Sequence, residues 1–470
     1  MRRAYIAMTH MNLATSESLL NEEIYRSIDL STQLVVTHQN ITFLNDEKFP
    51  VKTYRFYVEP EVITSISILE ASSGNQKLNV REERISEQEE VEFWEIDLKS
   101  VLKSGERTSI QIETVATHQL VPYPSHIRQG EAQLVKYVGN SILYSPYHTK
   151  IQSTTVNCGS DRFENFSVLE TMSMNGNLII YGPFEDIAPF TINKFFIHYV
   201  NNEPFLTITN LERVIEVSHW GNIAVEETIE LAHKGAILKG SFSRYNYKDV
   251  RKRLDEVSTD SSVSSYLTFL PASAKDIYYR DDIGNISTSH VRALRDSVEM
   301  LVKFRFPLFG GWKVRYTIGY NVPTYEYLYS NGEEYSLRMR VLDHVYNSMI
   351  VDELITKVIL PEHCTDIWMH PPYSMVRLPD GKHFSYLDIT GRPVIIVAKN
   401  NLVEHHIQDF ELEYTFPSGM FLMEPLILIF AYFSILILVL LVKFLDFSIE
   451  AKSENTPKRS SRHGKSSKKE

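Results

Sequence analysis

Apolar and polar residues alternate along most of this chain with the period of β-strands. The pattern begins between Ile24 and Phe43. Tyr54, Phe56 and Val58 continue it until Glu59-Pro60 ends the run, and Ser72-Ser73-Gly74-Asn75 reads as a turn. Ile110, Ile112 and Thr114 alternate with Gln111 and Glu113, as in a half-buried antiparallel strand. The acidic run Glu82 to Glu92 reads as a solvated loop. Further strands are predicted at Leu178 to Tyr181, Phe195 to Tyr199 and Pro204 to Thr209. Later strands are predicted around Val298 to Phe306, Val314 to Tyr320, Tyr335 to Val341 and Phe410 to Phe416. Val217 to Leu231 repeats the pattern of Asp29 to Phe43. That likeness fits either an internal duplication or two unrelated sandwiches that look alike at this level.

The alternation stops at Pro425. From there to Val442 the chain reads PLILIFAYFSILILVLLV, with no charge and one hydroxyl, Ser434. Eighteen helical residues span about 27 Å, close to the hydrocarbon thickness of a bilayer. No polar stripe at helical period marks it as a core helix. The expected organisation is therefore mostly β: two β-rich, sandwich-like domains over 21–212 and 213–419, after an atypical start at 1–20. A transmembrane helix at 420–445 (core 425–442) and a short, basic, disordered tail at 446–470 complete it.

Charge then gives the span a direction. Lys443 follows it, and Lys452, Lys458, Arg459, Arg462, Lys465, Lys468 and Lys469 lie in the tail. Asp409, Glu411, Glu413 and Glu424 precede it, with no Lys or Arg from His405 to Glu424. The positive-inside bias predicts a cytosolic tail and a lumenal or extracellular ectodomain. The longest apolar run in Met1 to Glu23 is Ala4 to Met8, too short for a secretory signal. Two explanations stay open: the true amino terminus is missing, or the anchor is the sole targeting signal and the protein is a tail-anchored cytosolic scaffold. A net charge of −11 argues against a nucleic-acid-binding ectodomain.

Chemistry is sparse. Two cysteines, Cys158 and Cys364, make neither a disulfide framework nor a zinc pattern and are expected as free thiols. Asn40, Asn165 and Asn285 begin Asn-x-Ser/Thr sequons, glycan acceptors if the ectodomain is lumenal. Asn285, in an exposed turn beside Asp281-Asp282, is the best of the three. The Asp pair reads as a solvated turn. His405-His406 on a strand would face opposite ways and share no metal. Trp220 and Trp312 are expected as core or rim aromatics, with Trp220 in a packed strand. No phosphate-binding glycine loop, zinc-protease histidine pair or nucleophile elbow occurs. No catalytic, cofactor-binding or metal residue is expected, and no cofactor. On pattern alone, a single-pass adhesion or receptor protein fits as well as any other reading.

Several stretches are more specific. RVIEVSHWGNIAVEE (213–227), GSFSRYNY (240–247), YYRDDIGNISTSH (278–290), RFPLFGGWK (305–313) and NLVEHHIQD (401–409) occur in this order. YSPYHTK (144–150) and YGPFED (181–186) precede them. Together they resemble the ribophorin I family, from near Asn21 to the membrane segment. The resemblance implies two β-rich lumenal domains, one anchor, and a place in the endoplasmic-reticulum oligosaccharyltransferase complex. That complex transfers a dolichyl-diphosphate-linked oligosaccharide to asparagine of Asn-x-Ser/Thr. It further implies a non-catalytic, accessory role in complex assembly and client presentation. The implied partners are a polytopic catalytic subunit, the other subunits, nascent polypeptides and the nearby translocon.

Overall fold

A computed structural model describes residues 19–46, 48–85, 90–245, 247, 261–287, 290–385 and 388–445. The expectations for the start of the chain (1–18) and for the tail (446–470) lie outside the described residues.

Alternation translates directly into sheet faces. In Val35–Asn45, Val35, Thr37, Gln39, Ile41, Phe43 and Asn45 are buried, while His38 and Asn40 are exposed. This strand forms an antiparallel hairpin with Leu19–Asp29. Leu19–Asp29 in turn pairs in parallel with His148–Asn157, which is antiparallel to Leu178–Ile187. On the other side Val35–Asn45 meets Arg107–Ala116, then Ile66–Ser73 and Gln76–Lys77, all antiparallel. Met172–Asn175 closes the far edge of this eight-stranded sheet.

The same plan recurs. The hairpin Leu206–Val217/Asn222–His233 pairs in parallel with Val351–Ile359, which is antiparallel to Arg392–Leu402. On its other side follow Lys313–Pro323, Lys275–Asp281 and Gly284–Asn285, again all antiparallel. The smaller sheets recur too. Val51–Phe56, Glu90–Leu102 and Val80–Ile85 match Val263–Pro271, Ser297–Leu308 and His290–Ala293 in order and sense. Phe163–Phe166, Lys194–Val200, Leu134–Asn140 and Val121–Pro122 match Thr365–His370, Asp409–Thr415, Glu334–Arg340 and Leu328–Asn331. Equal order and equal sense in three sheets decide between the two explanations of the sequence likeness in favour of an internal repeat. Because Leu206–Val217 pairs within the second repeat along its whole length, we propose 201–205 rather than 212/213 as the junction between domains.

Residues up to Phe416 form one compact unit. Each repeat brings its own sheets, and contacts tie the repeats together. Leu34 and Val115 pack with Ile350 and Val403. Gln33 donates to the Ser348 carbonyl at 2.7 Å, Thr117 to the Asn401 side chain at 2.6 Å, and His118 meets Asp352 at 2.8 Å.

Three expectations are corrected. The acidic run is no loop where it is described: Val80–Ile85 and Glu90–Leu102 pair as strands, with Glu82 opposite Trp94. Glu82 and Glu83 are exposed, while Val80 and Ile96 turn to the core. Trp220 is not in a packed strand. It is 63% exposed at the tip of the Leu206–Val217/Asn222–His233 hairpin, where Gly221 adopts φ 107°. Trp312 does pack, among Phe242, Phe306 and Phe309. His405-His406 lie in a 3-10 turn, Glu404–His406, rather than a strand; the turn still sends one ring out and the other in.

The second unit begins at Pro417. Its helix Met423–Phe444 has 22 residues, about 33 Å of rise. Among the described residues it is the one helix long and apolar enough to cross a membrane. Ser434 satisfies its hydroxyl on the Phe430 carbonyl at 2.8 Å.

Candidate functional site

The three sequon asparagines are all exposed but are not brought together. Asn40 lies on the outer face of the eight-stranded sheet and borders an open groove. Asn165 sits on the edge strand Phe163–Phe166, and its Ser167 hydroxyl accepts from the Phe196 amide at 3.0 Å. Asn285 lies at the Lys275–Asp281/Gly284–Asn285 hairpin. Beside it, Asp281 is committed to structure. It receives two hydrogen bonds from Arg305 and one each from the Ile283 and Gly284 amides at 3.0 Å. The Arg305 bond holds its carboxyl below the usual range. Asp282 is exposed. Cys158 and Cys364 are free, and burial pushes both thiols up to about 12. No group of three or more His, Cys, Asp or Glu suited to a metal occurs among the described residues.

The chemistry that pattern reading passed over lies on the inward faces of the two large sheets. Arg26 stands opposite Gln39 across the hairpin and opposite Thr154 across the parallel pairing. Arg213 stands opposite Glu227 and Thr356 in the matching places. One strand further, Gln39 faces Ile112 and Glu227 faces Ile318. Thr114 therefore corresponds to Tyr320. The Thr154 and Thr356 hydroxyls donate to the Ser141 and Val341 carbonyls, which places Leu143 in register with Asp343.

In the second repeat this place is filled and charged. Arg213, Glu227, Asp343 and Tyr320 are at most 2% exposed. Arg213 Nη1 donates to Glu227 and, at 2.9 Å, to Asp343; its Nη2 donates to the Tyr320 hydroxyl at 3.3 Å. Tyr320 donates to Asp343 at 2.5 Å. Burial works against the guanidinium, but Asp343, Tyr320 and Glu227 outweigh it and raise its pKa. Burial also raises the Glu227 carboxyl despite Arg213. In a low-dielectric core such charges persist only when paired.

In the first repeat the place is open. Arg26 Nη1 donates to the Asn140 carbonyl at 2.6 Å, and its Nε is buried without a partner. Gln39 Oε1 and Asn140 Nδ2 are likewise buried without partners, and both residues are 4% exposed. All three residues line a cavity of about 290 Å³. Thr37, Thr114, Phe56 and Tyr137 share its wall, with Glu59, Tyr144 and the ion-paired Lys194 and Glu61. A signal for both places was legible: Arg26 falls between Ile24 and Ile28, and Arg213 between Leu211 and Ile215, each charge in an apolar register.

The model for the family described as Ribophorin I matches residues 19–443. The chain belongs to the ribophorin I family. A protein of Caenorhabditis elegans named dolichyl-diphosphooligosaccharide–protein glycosyltransferase subunit 1 is 38% identical over 91% of this chain and 72% of its own length. Subunit 1B of that enzyme in Arabidopsis thaliana is 34% identical over 95% of this chain and 97% of its own. Subunit 1B of Oryza sativa is 32% identical over 90% and 91%. Among solved structures, an M1 zinc metallopeptidase from Deinococcus radiodurans aligns over 45% of this chain and 42% of that one. At TM-score 0.26 and 10% identity the likeness carries no argument.

Proposed function

We propose that this ribophorin I family member is a non-catalytic subunit of an oligosaccharyltransferase complex in the endoplasmic-reticulum membrane. The observation that carries the reading is near-full-length similarity to proteins named as subunit 1 of that glycosyltransferase. The side-chain chemistry supports the non-catalytic part. The buried carboxylates Glu227 and Asp343 are engaged by Arg213, and Asp281 by Arg305 and turn amides. Each is a structural commitment that leaves no free acid–base pair at these places. In this reading a polytopic partner subunit performs the transfer. This chain supports assembly and holds nascent clients near the translocon.

The charges flanking the helix support a lumenal ectodomain and a cytosolic tail, with a glycan on at least one of Asn40, Asn165 and Asn285. The deciding experiment replaces Asp281 and Asp282 together with Asn in the assembled complex and measures glycan transfer per complex. Unchanged turnover is expected; loss of turnover at normal complex abundance overturns the reading. Protease added to intact microsomes should remove the tail and spare the ectodomain. Digestion of the ectodomain without detergent reverses the orientation.

A further inference from the structure

We propose that the cavity beside Arg26 binds a carboxylate-bearing ligand, which supplies from outside the negative charge that Glu227 and Asp343 supply within the second repeat. The inference rests on the duplicated geometry and is independent of the reading above. At matching places the second repeat has Glu227, Asp343 and Tyr320, and the first has Gln39, Leu143 and Thr114. The first two differences each remove a carboxylate facing the guanidinium. The third removes a phenol ring, and with it the volume that fills the second repeat. The arginine itself is present in both.

What remains is a built site. Arg26 Nε and Asn140 Nδ2 are donors without acceptors, and buried Gln39 lies opposite Arg26 across the hairpin, its unpartnered Oε1 an acceptor whose amide must turn over to donate to a carboxylate. A planar carboxylate accepts from a guanidinium edge and an amide together, and charge-assisted hydrogen bonds of this kind are the strong ones. Glu59, another carboxylate in the wall, lies beside Tyr137 and Tyr144 and forms no ion pair with Arg26. Glu61 is held by Lys194. A cavity of about 290 Å³ admits an acidic side chain or a small dicarboxylic acid, not a folded partner. Those two sources share the recognising chemistry, and the test separates them.

The full-length chain, purified in detergent micelles, is titrated calorimetrically with two probes. One is succinate, with succinamide as its neutral control. The other is the acetylated, amidated pentapeptide Ala-Ala-Glu-Ala-Ala, with the Gln peptide as its control. At least one acid should bind about tenfold or more tightly than its neutral control. Which acid binds identifies the source. Arg26→Met should weaken that binding by about tenfold or more. Gln39→Glu, which installs the second repeat's own carboxylate, should do the same without removing the arginine. Should Arg26→Met fail to fold, Gln39→Glu and Thr114→Tyr, which refills the space, give the same readout. The proposal is overturned if neither acid outbinds its control, or if binding ignores these substitutions. It is also overturned if binding emerges only in Glu59→Gln, since Arg26 would then be capped internally.

Discussion

Arg26 and Arg213 occupy the same position in two copies of one sheet, yet they stand in opposite electrostatic circumstances. Arg213 is buried completely among two carboxylates and a phenol. Arg26 is half-buried, held by main-chain carbonyls and open to a cavity. Backbone topology survives such divergence because strand pairing is made by main-chain groups that both copies share. The inward side chains decide whether the place becomes a locked ion network or a polar hollow. A buried ion network contributes little net stability, but it is costly to break from one side.

That contrast can be broken experimentally. Arg213→Met strands Glu227 and Asp343 in the core and should cost about 3–5 kcal/mol in denaturant unfolding of the purified chain. Arg26→Met removes the bonds to the Asn140 and Ile142 carbonyls and should cost about 1–2 kcal/mol. Equal losses would erase the distinction. Adding Glu227→Gln and Asp343→Leu to Arg213→Met copies the first repeat's neutral partners and should recover most of the larger loss. A triple variant no better than Arg213→Met would show that the arginine's packing, not its charge, matters.

Acid should act chiefly on the second repeat. Burial lowers His219 and His406 there to about 4. Both are neutral in the fold yet protonate near 6.5 when unfolded, so their contribution is complete above about pH 6.5 and is lost as pH falls towards 4. Glu227 works the other way. Its carboxyl is raised, so acid relieves it and part of the loss is offset. The melting temperature should fall over that range, and His406→Asn should flatten the fall. A flat profile in the parent chain would contradict the burial of these rings. The smallest expected effect is Gln39→Glu, a gain of about 1 kcal/mol or less if the new carboxylate pairs with Arg26. A loss would mean that the hollow cannot hold a charge pair.

Much of the architecture was legible in the sequence because period-2 alternation and an uncharged apolar run are direct records of burial. The hairpin likeness between Asp29–Phe43 and Val217–Leu231 was visible, and it proved to be the centre of each large sheet. Pairing order was not legible. Nothing local in Leu19–Asp29 announces a parallel partner at His148–Asn157. Trp220 was misplaced because a large ring at a turn looks like a core residue when only hydrophobicity is read. His406 sits in a 3-10 turn, where strand alternation does not apply. The arginine places were missed because one charge in an apolar register, although visible, does not say what it pairs with. Its meaning emerges only when the two copies are aligned by register.

The parallel pairing of Leu19–Asp29 sets a schedule for biosynthesis. Its hairpin partner Val35–Asn45 follows at once, but His148–Asn157 begins about 120 residues later in the chain. Counted from Asn45, where the hairpin is complete, about 100 residues remain, so at about 5–20 residues per second that edge of Leu19–Asp29 waits roughly 5–20 seconds unpaired. An open edge is a template for any passing strand, including one from a neighbouring chain. The second repeat meets a similar, slightly longer delay between Leu206–Val217 and Val351–Ile359, while carrying nearly the same early strand pattern as the first. Pairing of either open edge with a strand of a neighbouring chain is therefore the misfolding hazard that this order of synthesis predicts. Factors that shield a freshly made sheet edge should raise its yield more than factors that merely bind apolar side chains.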